Sequence, residues 1–523
     1  MTTQIAVFAL VALAAAPLRA QEGEPVDWVA KFEAKLAAMR EAGIPVTFEE
    51  AVAARPQIPD EDNSALVFRQ AFDWMEAVVQ DLPNVEGTVH MKAPLGTRRS
   101  EPVRMLLAWL LAQHSETRAL LREGAERRTG QYPLLPEENP MAILMPHLSR
   151  IRNAARLMSA EAVLAAEEGD PGRAAESLVV VRRLAASIGD NVTLISALVR
   201  IAVDALFVEN CERVLGLCEP GPEDLSRLSS EIERELDGLS LGNALATERT
   251  MAYWLYEAPF AQIAAIAGED EGAMARFWRA VSYGPRSQMR ARDLWQFYQY
   301  MEGAIAVARL TPRQRVQRGE FLDDSVADIP EDCYLCHLML PALGRAFIAE
   351  VRGRAALESA RVALAVERWR MANGTWPASL DVLVPGFIDR VPEDPFSADL
   401  MGYARLADGV CIYSLGPDGW EDGSPQAGPR TEPHEGWGIT FRLLEPQLRG
   451  ASELRAMPEP DADGRTLLHL AAWTGQMELA RRLIGAGWEV NAVDDEGRTP
   501  TGLAVEGGHE DVVGLLREHG GVE

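Results

Sequence analysis

Asp463-Gly464-Arg465-Thr466-Leu467-Leu468-His469-Leu470-Ala471-Ala472 is the stretch that decides the fold of the C-terminal end. Gly475, Leu483, Gly487, Asn491 and Asp494 follow it. Thirty-three positions on, the pattern returns as Glu496-Gly497-Arg498-Thr499-Pro500, then Ala504, Gly508, Leu516 and Gly520. Self-similarity at a fixed offset of this length means stacked units that bury their apolar faces against one another. Each residue type has a physical task. Thr466 and Thr499 suit the N-cap of a first helix, and Pro500 suits a first helical turn. Ala471 and Ala472 let paired helices approach closely, while Gly487 and Gly520 end the second helices.

With its Thr-Pro-Leu-His-like starts, the repeat resembles the ankyrin repeat, which implies a surface for packing and binding rather than for chemistry. The structural positions are Thr466, His469, Ala472, Gly475, Gly487, Thr499, Pro500, Gly508 and Gly520. His469 reads as a buried hydrogen-bonding residue and not a metal ligand. Thr501 and Gly502 replace the usual Leu and His, so the second copy reads as a degenerate cap. Two copies fall short of the roughly three that support themselves. The first is therefore expected to dock on the preceding domain or on a helical remnant at 445–460. Residues 461–523 carry 12 acidic and 5 basic residues, which suits a solvent-facing surface.

Working back, residues 342–372 form a helical pattern. Leu357, Ala360 and Leu364 lie on one stripe, with Val362, Val366 and Trp369 beside it, and Asn373-Gly374 stops the helix. Short strands at 403–406, 410–415 and 438–443 predict a small antiparallel sheet on that helix, an α+β arrangement. The order Asn373-Gly374-Thr375-Trp376-Pro377, Asp394-Pro395-Phe396 and Tyr413-Ser414-Leu415-Gly416-Pro417-Asp418-Gly419 resembles the soluble half of type II secretion major pseudopilins. The cleavage site and apolar N-terminal helix of that family are not attached here, so filament assembly does not carry over. The resemblance implies a calcium ion in the loop after the Tyr-Ser-Leu-Gly strand. Asp418, Asp422 and the Leu415 carbonyl are the matching hard oxygen ligands. A merely solvated acidic turn is the alternative.

From 26 to about 240 the pattern is helical throughout. Gly169-Asp170-Pro171-Gly172 separates two amphipathic runs, and Glu219-Pro220-Gly221-Pro222 introduces another. No fixed period links them, so an irregular helical array is expected. Aromatic clusters at Tyr253-Trp254-Tyr256 and Trp295-Phe297-Tyr298-Tyr300 read as packing, with a ligand groove as the alternative. The apolar run 5–16 has signal-peptide length, with Leu18-Arg19-Ala20 before the cut, although no Lys or Arg precedes it.

The formal net charge is -27, which repels phosphate backbones and favours basic partners. No G-x-S-x-G, H-E-x-x-H or P-loop string occurs. The sharpest chemical string is Cys333-Tyr334-Leu335-Cys336-His337, the attachment sequence of c-type haem, with a disulfide or plain thiols as alternatives. Cys211 and Cys218 would sit about 10 Å apart on one helix, too far to bridge.

The expected fold is multidomain and mainly α. It comprises a signal peptide at 1–20, an irregular helical array at 24–332, a small pseudopilin-like α+β domain at 333–444 and a short α-helical ankyrin stack at 445–523. The expected function is an exported, non-enzymatic scaffold for protein–protein interaction in the cell envelope, periplasmic or extracellular. It takes a protein partner, no nucleic acid and no transmembrane span after signal cleavage. No cofactor is expected, with calcium and haem c as the two alternatives. The rival function is a haem or thiol redox protein using Cys333, Cys336 and His337.

Overall fold

The computed structural model describes residues 26–79, 94–133, 145–189, 193–238, 240–258, 285–330, 333, 336–337, 340, 343–397, 399–417, 438–453 and 463–523. These residues are mainly helical. The helix Pro146–Glu167 ends at Gly169, whose φ of 80° turns the chain back. Asp170 then caps Pro171–Ala186 by accepting the Arg173 amide, with Pro171 in the first turn. Thr193 caps Leu194–Leu217 in the same way, through the Ser196 amide. This third helix packs on both members of the hairpin, and Pro222–Gly238 packs on Pro171–Ala186.

Charge lies inside this group of helices. Arg182 is buried against Asp204 and Glu235, and Arg200 reaches the Glu235 carboxylate at 2.7 Å. Burial pushes the Asp204 carboxyl up, and Arg182 and Arg200 pull it back. A buried charge needs such partners, because leaving it alone in the interior costs several kcal/mol by order of magnitude.

The helix Leu343–Asn373 is the hub. It packs on Pro312–Ser325, Leu194–Leu217 and Pro222–Gly238, and also carries the sheet. Leu357, Ala360, Val362, Ala363, Leu364 and Val366 are all fully buried. Residues of both stripes legible in the sequence are thus buried, and a helix apolar on several faces belongs in an interior. The sheet has three antiparallel strands, Gly402–Leu406, Gly409–Tyr413 and Thr440–Leu444, in chain order. Val410 pairs with Leu443 and Ile412 with Phe441, and these four side chains are buried together. They share one continuous core with Val214 of the array and Leu357 of the hub. Array and sheet thus have no separate interiors among the described residues.

The C-terminal helices form two pairs. Leu467–Trp473 packs on Met477–Gly485 and on Pro500–Glu506, which packs in turn on Glu510–Glu518. The docking surface corrects the expectation. Among the described residues, Met477–Gly485 packs on Glu101–Gln113 of the helical array, a surface other than the two expected, and residues 454–460 of the expected remnant lie outside the described residues. Arg482 pairs with Glu101 there. The segment before the repeats is held to the array as well: Ser452–Glu453 pairs in parallel with Thr97–Arg98, and Gly450 donates to the Gly216 carbonyl at 3.2 Å.

A second apolar cluster holds the N-terminal helix Trp28–Glu41 against Gln288–Ala308. Phe32 meets Tyr256 and Tyr298 edge to face, at centroid distances of 5.0 and 5.3 Å. Of the aromatic residues read from the sequence, Tyr256 also meets Tyr253 and Tyr298 also meets Phe297, so these are packing residues. No helix among the described residues is long and apolar enough to cross a membrane. The run 5–16 lies outside the described residues.

Candidate functional site

The C-terminal repeats are built from caps outward. Thr466 accepts the His469 amide, and the Thr466 amide donates to His469 Nδ1 at 3.1 Å, closing a reciprocal box at the helix start. The other ring nitrogen of His469 lies 3.1 Å from the Arg498 carbonyl, so this fully buried imidazole joins one repeat to the next. Thr499 accepts the Gly502 amide at 3.1 Å, with Pro500 buried in the first turn. Ala472 is buried beside Ala471. Gly475, Gly487, Gly508 and Gly520 all have φ between 69° and 87°. At Gly475 a Cβ would also run into the His509 ring.

Two tethers escaped the sequence reading. His509 Nε2 lies 2.9 Å from the Trp473 carbonyl, bridging the repeats on the opposite side from His469. Asp494 accepts the Arg498 amide at 2.8 Å and its guanidinium at 3.0 Å, shaping the turn between copies. Desolvation works against charge on Asp494, and the Arg498 contacts outweigh it, so its carboxyl stays below the usual range. Asp494 does recur, 33 positions after Asp461, whereas His509 stands where the first copy has Gln476, so only the Asp left a signal in the repeat.

A family profile described as ankyrin repeats in three copies matches residues 442–523. Residues 442–523 are an ankyrin-repeat region. Rabankyrin-5 of Mus musculus is 43% identical over 65 residues, which is 12% of this chain and 6% of that protein. Rabankyrin-5 of Homo sapiens is 44% identical over 61 residues, 12% of this chain and 5% of that protein. The chain thus spans about a twentieth of the length of these curated relatives. The profile begins inside the third strand of the sheet, and the described ankyrin helices make two pairs.

What this ankyrin region offers is a surface. Its core leucines and alanines are buried, whereas Val493, Val505 and Val522 are 62%, 45% and 57% exposed. The carboxylate-bearing residues Glu506, Glu510 and Glu518 lie exposed on the second copy. Ankyrin repeats point to protein–protein interaction, and an acidic face with apolar spots suits a protein ligand.

The other candidate residues fall differently. Cys333 and Cys336 turn into the apolar cluster of Leu294, Tyr298 and Phe347, while His337 is exposed. The Cys336 amide is held by the Asp293 carboxylate at 2.8 Å, and His337 Nε2 lies 3.3 Å from the Pro330 carbonyl. A covalently held haem needs both sulfurs and the imidazole turned to one macrocycle. Here both thiols are buried among packed side chains while the imidazole is exposed, and as packed these residues do not fit haem c.

Of the calcium set, Asp418 and Asp422 lie outside the described residues. Leu415 is placed, and its amide donates to Asp394 Oδ2 at 2.8 Å. No cluster of three His, Cys, Asp or Glu suited to a metal occurs among the described residues.

The blocks that carry the pseudopilin resemblance have clear mechanical tasks. Asp394 is buried and also accepts the Ser414 hydroxyl at 2.7 Å and the Phe396 amide at 3.0 Å. This ties the Asp-Pro-Phe turn to the end of the Tyr-Ser-Leu-Gly strand. Trp376 donates its indole N–H to Glu445 at 2.8 Å, and Tyr403 donates to the Pro377 carbonyl at 2.9 Å.

Proposed function

We propose that this protein is an exported, non-enzymatic scaffold that presents its ankyrin region to a basic protein partner in the cell envelope. The observation that carries the reading is the ankyrin surface itself. It is anchored to the helical array through Met477–Gly485, and it leaves Val493, Val505 and several carboxylates turned to solvent. The net charge of -27 favours a cationic partner and opposes nucleic acid and anionic lipid. The apolar run 5–16 supports export, and the resemblance of residues 340–444 to pseudopilin soluble domains supports an envelope setting. No cofactor enters the scheme.

A photo-crosslinking amino acid placed at Val505 or Val493 of the full chain tests it. One discrete crosslinked protein, competed away by unlabelled chain and weakened by salt, is the expected result. Crosslinks that are absent, or unchanged when the label sits at a site far from the repeats, would remove its basis. Fractionation of the same cells reads export separately.

A further inference from the structure

Cys333 and Cys336 stand one helical turn apart. The Cys333 carbonyl accepts the His337 amide at 3.2 Å, and the Cys336 carbonyl accepts the Leu340 amide at 2.9 Å. Each cysteine carbonyl thus accepts from the amide four residues on, the bond of an α-helix. Three residues along such a helix bring α-carbons to about 5 Å, inside the roughly 4.4–6.8 Å range that a disulfide closes. Cys211 and Cys218, seven residues apart, are about 10 Å apart by the same geometry and outside it. Both Cys333 and Cys336 side chains are buried in one apolar cluster, and Asp293 fixes the Cys336 amide between them and the helix Gln288–Ala308.

We propose that Cys333 and Cys336 join in a short-range disulfide when the chain folds in the presence of a disulfide oxidant, either an oxidoreductase or a small-molecule disulfide. One cysteine thiolate attacks the oxidant and expels a thiol, giving a mixed disulfide. The second thiolate attacks that bond and expels the other thiol. The two cysteines lose two protons and two electrons in all, and the oxidant gains them as two thiols.

Burial sets the timing. In the folded thiol form burial pushes Cys336 far up, with Asp293 and Cys333 adding to the effect, so the thiolate is scarce. The bond therefore forms before the cluster closes, and the closed cluster then shields it from reductants. Its place matters mechanically. It sits just before the hub helix, whose Gly344 amide is held by Asp323 at 3.0 Å. The bridge would thus stand a few residues before the hub helix. Nothing in this depends on the ankyrin partner or on export.

The test is to refold the full chain from denaturant in a mixture of reduced and oxidised glutathione, then alkylate with iodoacetamide in denaturant and map the peptides. The peptide spanning both cysteines should appear unalkylated and two hydrogens lighter than its reduced form. Cys211, Cys218 and Cys411 should be alkylated in the same sample. Full alkylation of Cys333 and Cys336 would overturn the proposal, and so would a bond from either one to Cys211, Cys218 or Cys411. The variant C336S should leave Cys333 alkylated or carrying glutathione, and an intact bridge pattern there would show that the assignment is wrong.

Discussion

Arg449 and Glu367 meet in a two-pronged ion pair at 2.6 and 2.9 Å, with both side chains almost completely removed from solvent. The pair ties the end of the hub helix to the segment that leads from the sheet to the ankyrin region. Arg370 shares the same carboxylate at 2.7 Å, and the Arg449 Nε–H also donates to the Leu444 carbonyl at 3.0 Å. Burial raises the Glu367 carboxyl, but Arg449 and Arg370 outweigh it and hold the group below its ordinary value. Its stabilising share is thus present above the unfolded value and is lost as pH falls through the folded one. Arg449→Met leaves this buried carboxylate with Arg370 alone and should cost up to about 3 kcal/mol. The double change R449M/E367L should recover most of that loss in urea titrations, because an apolar pair needs no counter-charge.

Asp394 is a lock of a different kind, one carboxylate accepting from Phe396, Ser414 and Leu415. Asp394→Ala leaves three donors without their acceptor and should lower stability by about 3 kcal/mol. The damage should be local at first. Hydrogen exchange at the Ser414 and Leu415 amides should accelerate more than at Leu357 or Leu364 in the hub. Uniform acceleration would mean that the turn carries no separate load.

The ankyrin region was legible because its signals are local: a Thr cap, a buried His three residues on, and glycines at positive φ. The hub helix was legible as a helix, since Leu357, Ala360 and Leu364 recur at its period and Asn373-Gly374 ends it. Its neighbours were not, because periodicity assigns a face without naming what covers it. The docking of Met477–Gly485 on Glu101–Gln113 joins residues far apart in sequence, and nothing local encodes such a pairing. Buried charges were missed for a related reason. Glu367 and Arg449 look like two of many surface charges until the fold brings them together. Arg182 did carry a hint, since it follows Val179-Val180-Val181 on an apolar run. The Asp-Pro-Phe and Tyr-Ser-Leu-Gly blocks were visible as motifs, but their mutual bond through Asp394 was not.

Glu212 behaves in the opposite sense to Glu367. It accepts the Arg442 amide on the outer side of the third strand at 2.6 Å. Burial is the main cause that pushes its carboxyl up to about 7, with the Arg442 amide and charge pulling down. The folded protein therefore keeps a proton that the unfolded chain loses above its ordinary value of 4.5. Stability from this group falls as pH rises between those values, by up to about 3 kcal/mol, and is flat above them. Glu212→Gln keeps an acceptor and removes the titration. It should therefore be more stable than the parent near pH 8 and close to it near pH 4.5. Urea midpoints at the two pH values decide this, and an equal offset at both would refute it.

The Arg482–Glu101 pair bridges the ankyrin region and the array, yet both side chains are about half exposed. Solvent and salt screen such a pair, so Arg482→Ala should shift stability by less than about 1 kcal/mol. Leu483, on the same helix, is fully buried. Leu483→Ala should cost about 2–5 kcal/mol and render the ankyrin region sensitive to limited proteolysis while the array survives. Equal effects from the two changes would place the anchor in charge and not in burial.

His469 carries the last expectation, because both of its ring nitrogens are engaged across two repeats. His469→Ala removes the partner of the Thr466 amide and the contact with the Arg498 carbonyl in one step, and opens a cavity at a fully buried site. A loss of about 2–4 kcal/mol follows from the unpaired groups and the void. Thr466→Ala removes only the cap and should cost about 1 kcal/mol. The two differ in reach as well as size. The His469 change should speed hydrogen exchange in both Leu467–Trp473 and Pro500–Glu506, whereas the Thr466 change should speed it in the first helix alone. If the His469 variant loosened only its own helix, the coupling between repeats would rest on His509 and Trp473 instead.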